Sequence, residues 1–264
     1  MTAVRLVVVG GGRMGEALVS GLLRAGWAPA GELAVVEKLE ERRRRLEDLL
    51  PGVAIVPETP EATGAVIAVK PGDVKEACRQ VAGAGAVQAL SIAAGVRLSS
   101  LQDWLGQGVR VVRAMPNTPA LIGQGAAAIS AGPTAGPADL KWAEGVLSAV
   151  GIVARVPEHL LDAVTGLSGS GPAYLYVMAE ALIDAGVLAG IPRGTSVALV
   201  VQTLVGASRM LAESGQGPEA LRAAVTSPGG TTAAGLSALE ERGVRGAFLE
   251  AVQAATERSR QLGG

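Results

Sequence analysis

Six residues near the start of the chain, Gly10-Gly11-Gly12-Arg13-Met14-Gly15, constrain its fold more than any other stretch. They follow an apolar run at 4–9 and open a segment of helical spacing at 14–25. A G-x-G-x-x-G turn between a strand and a helix needs each glycine for its own reason. The first permits the tight turn, the second lets a pyrophosphate approach the backbone, and the third lets the helix lie close to the strand. The new helix then points unpaired N–H groups and its positive end at the same spot. A purely structural tight turn is the alternative. The position inside a β-α-β unit favours a dinucleotide cradle, so residues 10–15, with Arg13 and Met14 among them, are expected at the cofactor.

The rest of the front half agrees with that start. Apolar, β-branched runs recur at 33–37, 53–56, 65–69, 86–92, 109–115, 126–130 and 152–156, with helical segments at 39–50 and 73–82. Near-continuous apolar strands separated by amphipathic helices predict a parallel sheet covered on both faces. Beyond residue 157 the texture changes to Ala/Leu-rich segments at 172–189, 193–213, 218–225, 231–241 and 245–262, punctuated by Gly and Pro. The expected fold class is therefore α/β: an N-terminal Rossmann-like, doubly wound sheet over 1–157, followed by an all-helical domain over 158–264. The first long helix of the rear half is apolar nearly all round. A small bundle cannot bury such a helix on every side, so it is expected to pack against a second copy of the chain.

Composition removes several other classes. The net charge of −1 gives no reason to expect nucleic acid or an anionic membrane as partner. Trp27, Trp104 and Trp142 fall on different elements and form no base-stacking platform. The stretch 172–191 invites a membrane reading, but Glu180 and Asp184 would sit within the bilayer, so a buried helix is the better expectation. One cysteine, Cys78, and one histidine, His159, allow neither an internal disulfide nor a Cys/His metal cluster. No metal and a cytoplasmic location are the expectations.

Glu37 ends the second apolar run, 22 positions beyond Gly15. An acid there accepts hydrogen bonds from the adenosine ribose and repels a 2′-phosphate, which leans towards NADH over NADPH. Lys38 and the run Arg42 to Arg45 follow at once and could neutralise a phosphate. The plainer reading of the arginines is a solvated helix face, with Glu40–Arg44 and Glu41–Arg45 as i,i+4 pairs. Glu37 and Lys38 are both expected near the cofactor.

Six segments taken together resemble the pyrroline-5-carboxylate reductase family. They are the glycine turn; Ala68-Val69-Lys70-Pro71; Ser91-Ile92-Ala93-Ala94-Gly95-Val96; Arg113-Ala114-Met115-Pro116-Asn117-Thr118-Pro119-Ala120; Leu167-Ser168-Gly169-Ser170-Gly171-Pro172-Ala173-Tyr174; and Ser227-Pro228-Gly229-Gly230-Thr231-Thr232. The resemblance runs from residue 4 to about residue 262. It implies that hydride passes from NADH or NADPH to the C=N bond of 1-pyrroline-5-carboxylate, giving L-proline. It implies that Ala68, Val69, Lys70 and Pro71 lie along the cofactor, that Ala93, Ala94 and Gly95 border the nicotinamide, and that Asn117 lines the same cleft. It assigns the substrate carboxylate and ring to Ser227, Gly229, Gly230, Thr231 and Thr232. It also implies a homodimer of interlocked helical domains, each site drawing on two chains, with rings of dimers in some members. Many relatives carry Ser, Thr, Asn or Arg where this chain has Glu37-Lys38, which leans away from family-typical NADPH use without deciding between the two cofactors.

The chemistry suits these residues. Reducing a cyclic imine requires positioning, a grip on the carboxylate, and a proton or hydrogen bond at the ring nitrogen, with no strong base. Thr232 offers a hydroxyl able to donate or accept, and Lys70 stands past a strand's C-terminal end, where open α/β sheets hold ligands. These two are the expected catalytic residues, Lys70 beside the cofactor rather than as a base. A helix-capping role for Thr231 or Thr232 is the alternative. His159 reads as a surface residue at a helix start. Ser168 and Ser170 have no histidine suited to a triad and belong to a glycine-rich break ahead of the long helix. Two rival functions remain: reduction of a related imine or keto acid, and non-catalytic dinucleotide binding.

Overall fold

The structure is a computed structural model and describes residues 4–263. The front half is an eight-stranded sheet: β1 (Val4–Val9), β2 (Leu33–Val36), β3 (Ala54–Val56), β4 (Ala62–Ile67), β5 (Gln88–Ser91), β6 (Arg110–Met115), β7 (Gly125–Ala131) and β8 (Gly151–Arg155). Their spatial order is β3-β2-β1-β4-β5-β6-β7-β8. The order reverses about β1, so the glycine turn leaves the sheet where an open α/β sheet forms its ligand crevice.

The sheet is buried on both faces, and the alternation within β1 shows how. Leu6 and Val8 join one apolar layer with Leu18 and Leu22 of α1 (Arg13–Arg24), Leu46 of α2 (Glu40–Leu49) and Leu147 of α5 (Pro137–Leu147). Val7 and Val9 point the other way, onto Val74, Ala77 and Val81 of α3 (Val74–Gly83) and Leu101 and Leu105 of α4 (Leu98–Leu105). Successive residues of a strand face opposite sides, so a strand apolar at every position is covered twice.

Two features depart from the sequence expectation. The sheet is not wholly parallel, because β7 runs antiparallel to β6, with Val112 opposite Ala131 and Met115 opposite Ala128. The connection 116–124 holds only a 3₁₀ turn, Thr118–Ile122, and a parallel return needs a crossover of about a dozen residues or more. Helices α4 and α5 are additional to the expected set. Helix α4 buries Leu98, Leu101, Gln102 and Leu105, one face of a two-turn helix, whereas the amphipathic pattern of α5 is weak. Helix α5 nonetheless carries its own start signal: Pro137 in the first turn and Asp139 three residues after the N-cap, its carboxylate accepting from Gly136 N at 2.9 Å.

By packing, the chain forms two compact units: residues through Ser170 with the segment from Gln253 onward, and Gly171–Val252. The last helix, α11 (Val244–Leu262), therefore contributes residues to both. Its closing turns are held within the first unit, where Ser259 Oγ donates to Asp162 at 2.6 Å. Between β8 and the second unit lie α6 (Leu161–Val164) and a π-helical turn, Thr165–Gly169, broken at Ser170.

The second unit consists of α7 (Gly171–Leu188), α8 (Arg193–Glu213), α9 (Pro218–Ala224), α10 (Thr231–Glu241) and the first part of α11. Helices α7 and α8 touch closely at Gly186, where a Cβ would stand 2.3 Å from Ser196 Oγ, and that hydroxyl donates to Ile183 O at 2.9 Å. No residue of α7 is buried, and Val177 and Leu188 are 64% and 91% exposed. Among the described residues, α8 is the one helix long and apolar enough to cross a membrane. The membrane question raised by 172–191 thus falls on its neighbour.

Candidate active site

The glycine turn has a separate steric reason for each expected role. Gly10 sits at φ +113°, its N–H donates to Val36 O at 2.9 Å, and a Cβ there would lie 2.5 Å from Ala68 O. Gly15 is the close-packing glycine: a Cβ would come within 2.0 Å of Gly10 O. Gly12, the N-cap of α1, has no heavy atom within 4 Å of where its Cβ would be. Its free side faces open space at a helix N-terminus, the arrangement that admits a phosphate. The residues present thus fit the pyrophosphate of a dinucleotide.

A cavity of about 330 Å³ opens beside this turn. Gly10, Gly12, Glu37, Lys38, Ala68, Val69 and Lys70 line it, all from the expected cofactor set. Its remaining wall includes Leu39, Asp73, Ala77 and Gln80, which the motif reading did not single out. Helical periodicity held the signal, since 73, 77 and 80 are spaced as one helix face. The Glu37 carboxylate accepts a hydrogen bond from Leu39 N at 3.0 Å, and Arg43 donates to the carbonyls of Glu37 and Lys38 at 3.0 and 2.7 Å. The end of β2 is therefore fixed with its acid at the cavity wall.

The arginine run does more than coat a solvated helix. Arg44 does pair with Glu40 at 2.5 Å across the surface, as the i,i+4 reading expects. Arg42 and Arg43 turn inward. Arg42 reaches Gly11 O at 2.7 Å and Glu16 at 2.5 Å.

Other expected residues lie elsewhere along the strand ends. Ala93, Ala94 and Gly95 follow β5, which pairs with β4. At about 4.8 Å per strand, the turn after β5 is roughly 14 Å from the end of β2, so an extended ligand could lie across these ends. These three residues are not part of the 330 Å³ cavity wall. Asn117 ties the backbone together: its Oδ1 accepts from Ala126 N at 2.8 Å and its Nδ2 donates to Ser168 O at 3.0 Å. Met14 is partly buried against the core, Pro71 is exposed, and His159 is an exposed member of a 3₁₀ turn, Glu158–Leu160.

In the second unit, Ser227–Thr232 forms a tight turn into α10. Gly229 has φ +71°, and Gly230 N donates to Ser227 O at 3.0 Å. Gly230 itself is the N-cap of α10, which places Thr231 and Thr232 in the first turn rather than at the cap. Neither hydroxyl has a hydrogen-bond partner among the described residues. The capping alternative is therefore not what the loop does.

Strand order, glycine turn and strand-end cavity are those of a dinucleotide-binding fold, and the match of residues 5–95 to the family described as "NADP oxidoreductase coenzyme F420-dependent" makes the class a nicotinamide-dependent oxidoreductase. Residues 158–262 match the family described as "Pyrroline-5-carboxylate reductase dimerisation". Over 266 residues the chain is 42% identical to the pyrroline-5-carboxylate reductase of Synechocystis, covering 99% of each. It is 39% identical to that of Pisum sativum, covering 96% of this chain and 94% of the relative. The solved structure of a pyrroline-5-carboxylate reductase from Coxiella burnetii superposes with a TM-score of 0.93 at 33% identity, with all of both chains covered. The Plasmodium falciparum pyrroline carboxylate reductase, solved with NADP bound, gives 0.84 at 30% identity, again over both whole chains. The chain belongs to the pyrroline-5-carboxylate reductase family.

Proposed function

We propose that this protein reduces 1-pyrroline-5-carboxylate to L-proline with NADH or NADPH, NADH being the better cofactor. The observation that carries this reading is the open side of Gly12 at the start of α1, beside a strand-end cavity, in a chain of this family. When bound, the nicotinamide supplies the hydride. Residues 10–15, Glu37, Lys38 and 68–71 hold the dinucleotide, with 93–95 and Asn117 towards its reactive end, and Lys70 brings positive charge to the phosphates. Two glycines and the N-terminus of α10 let the Ser227–Thr232 turn grip a carboxylate, and Thr232 donates a hydrogen bond to the ring nitrogen as it becomes an amine. Such light demands on acid–base chemistry need no histidine, and His159 is an exposed residue of a 3₁₀ turn. The lone cysteine fits a reducing cytoplasm. A homodimer, or a ring of dimers, covers the apolar surface of the second unit.

The test is cofactor oxidation followed by absorbance with pyrroline-5-carboxylate, set beside related cyclic imines and keto acids. Turnover should be fastest with pyrroline-5-carboxylate, and Thr232→Ala should lower kcat roughly a hundredfold while cofactor affinity stays. Faster turnover with another imine would replace the substrate, and full activity in Thr232→Ala would remove that hydroxyl from the chemistry.

A further inference from the structure

We propose that Arg42 is a positioning residue of the dinucleotide site: held against the glycine turn, it neutralises Glu16 beside the phosphate cradle. This rests on the dinucleotide reading above. Glu16 stands in the first turn of α1, at the helix end that must receive a pyrophosphate. A carboxylate there stabilises the empty helix and competes with the phosphates for the same positive end. Arg42 answers both charge and geometry. Its Nη2 lies 2.5 Å from Glu16 Oε2 and its Nε donates to Gly11 O at 2.7 Å. The two side chains are 20% and 30% exposed, so water screens the pair less than it would on the surface.

Gly11 has no other freedom to use. A Cβ would meet Leu46 Cδ1 at 2.6 Å and the Glu37 carboxylate at 3.0 Å, so the turn is backed by α2 and the end of β2. One guanidinium from α2 thereby links the turn and the first turn of α1. The planar fork of arginine serves two acceptors at once, which a lysine cannot reproduce. Arg13, Arg24 and Arg45 line the same hollow on the outer side of α1 and pair with no acid among the described residues. They raise the general attraction for anions, while Arg42 is the one that pairs with the acid in the first turn of α1.

The test is dinucleotide affinity, read by fluorescence titration of the full-length protein with NADH and with NADPH at low and high salt. Arg42→Met should weaken both roughly tenfold at low salt, with less loss at high salt. Adding Glu16→Gln to Arg42→Met should recover most of that affinity, and Arg42→Lys should fall between. Melting curves identify any variant that is not folded. A purely structural role predicts a loss that neither salt nor Glu16→Gln relieves, and that result, or unchanged affinity in Arg42→Met, overturns the proposal alone. Wild-type protein that binds neither dinucleotide would overturn the dinucleotide reading and this proposal with it.

Discussion

Single side chains carry the proposed cofactor preference and one alkaline contribution to stability. Glu37 is held at the cavity wall by Leu39 N, and Arg43 fixes the carbonyls on either side of it. On the proposed reading, a 2′-phosphate arriving there meets this carboxylate. Glu37→Ser should shift the NADH/NADPH ratio of kcat/KM towards NADPH by about tenfold, and an unchanged ratio would mean the acid does not face the adenosine ribose. Cys78 lies wholly inside the α3 layer, and burial pushes its thiol from about 9 up to about 12. The folded state then retains a proton that the unfolded chain releases. Its contribution is complete below pH 9 and is lost as pH rises towards 12. Urea unfolding of wild type and Cys78→Ala should therefore converge with rising alkalinity, and Cys78 should resist alkylation at pH 8 until the protein unfolds. Rapid labelling of the native protein would contradict this burial.

At the scale of elements, legibility followed how locally each element is determined. The strands and the glycine turn were readable because they encode themselves within a few residues: an apolar run, then glycines at a fixed spacing, Gly10 and Gly15 without room for a Cβ and Gly12 with an open side. Gly15→Ala tests that logic. The added methyl would meet the carbonyl of Gly10, which sits in backbone and cannot swing away. A loss of about 2–3 kcal/mol on urea denaturation is expected, together with weakened dinucleotide binding. Stability within 0.5 kcal/mol of wild type, an ordinary surface-substitution effect, would show that the helix can slide. The reversed β7 was not readable, because strand direction depends on the length of the connection rather than on the strand's own pattern. The inward turn of Arg42 and Arg43 was equally hidden. Sequence spacing showed i,i+4 partners on one helix, whereas their actual acceptors lie on the glycine turn, α1 and the end of β2. The Ser227–Thr232 turn was visible as a motif, but only the structure distinguishes a first-turn hydroxyl from a cap.

The whole molecule carries an unfinished apolar surface. Leu175, Val177, Leu199 and Val201 are each at least half exposed, on two helices with almost no buried residue between them. The match of residues 158–262 to a dimerisation family supports homo-oligomerisation, and this surface is the proposed interface. Light scattering should find no monomer at micromolar concentration. Paired substitutions Val177→Glu and Leu199→Glu should release monomers with a lowered, concentration-dependent Tm. A double variant that stays assembled would place the interface elsewhere. The all-round apolarity of α7 was the sequence's clearest statement about assembly, because no fold of so few helices can hide it internally.

The return of α11 to the first unit bears on how the gene could be divided. The helical unit is, topologically, an insertion between Ser170 and Gln253 of a discontinuous partner. A fragment stopped at residue 170 leaves Asp162 without the Ser259 hydroxyl that it accepts, and uncovers the Gly95 turn against which Leu262 rests. An excised nucleotide-binding half therefore needs a spliced copy of 253–263, joined through a new linker, to be whole.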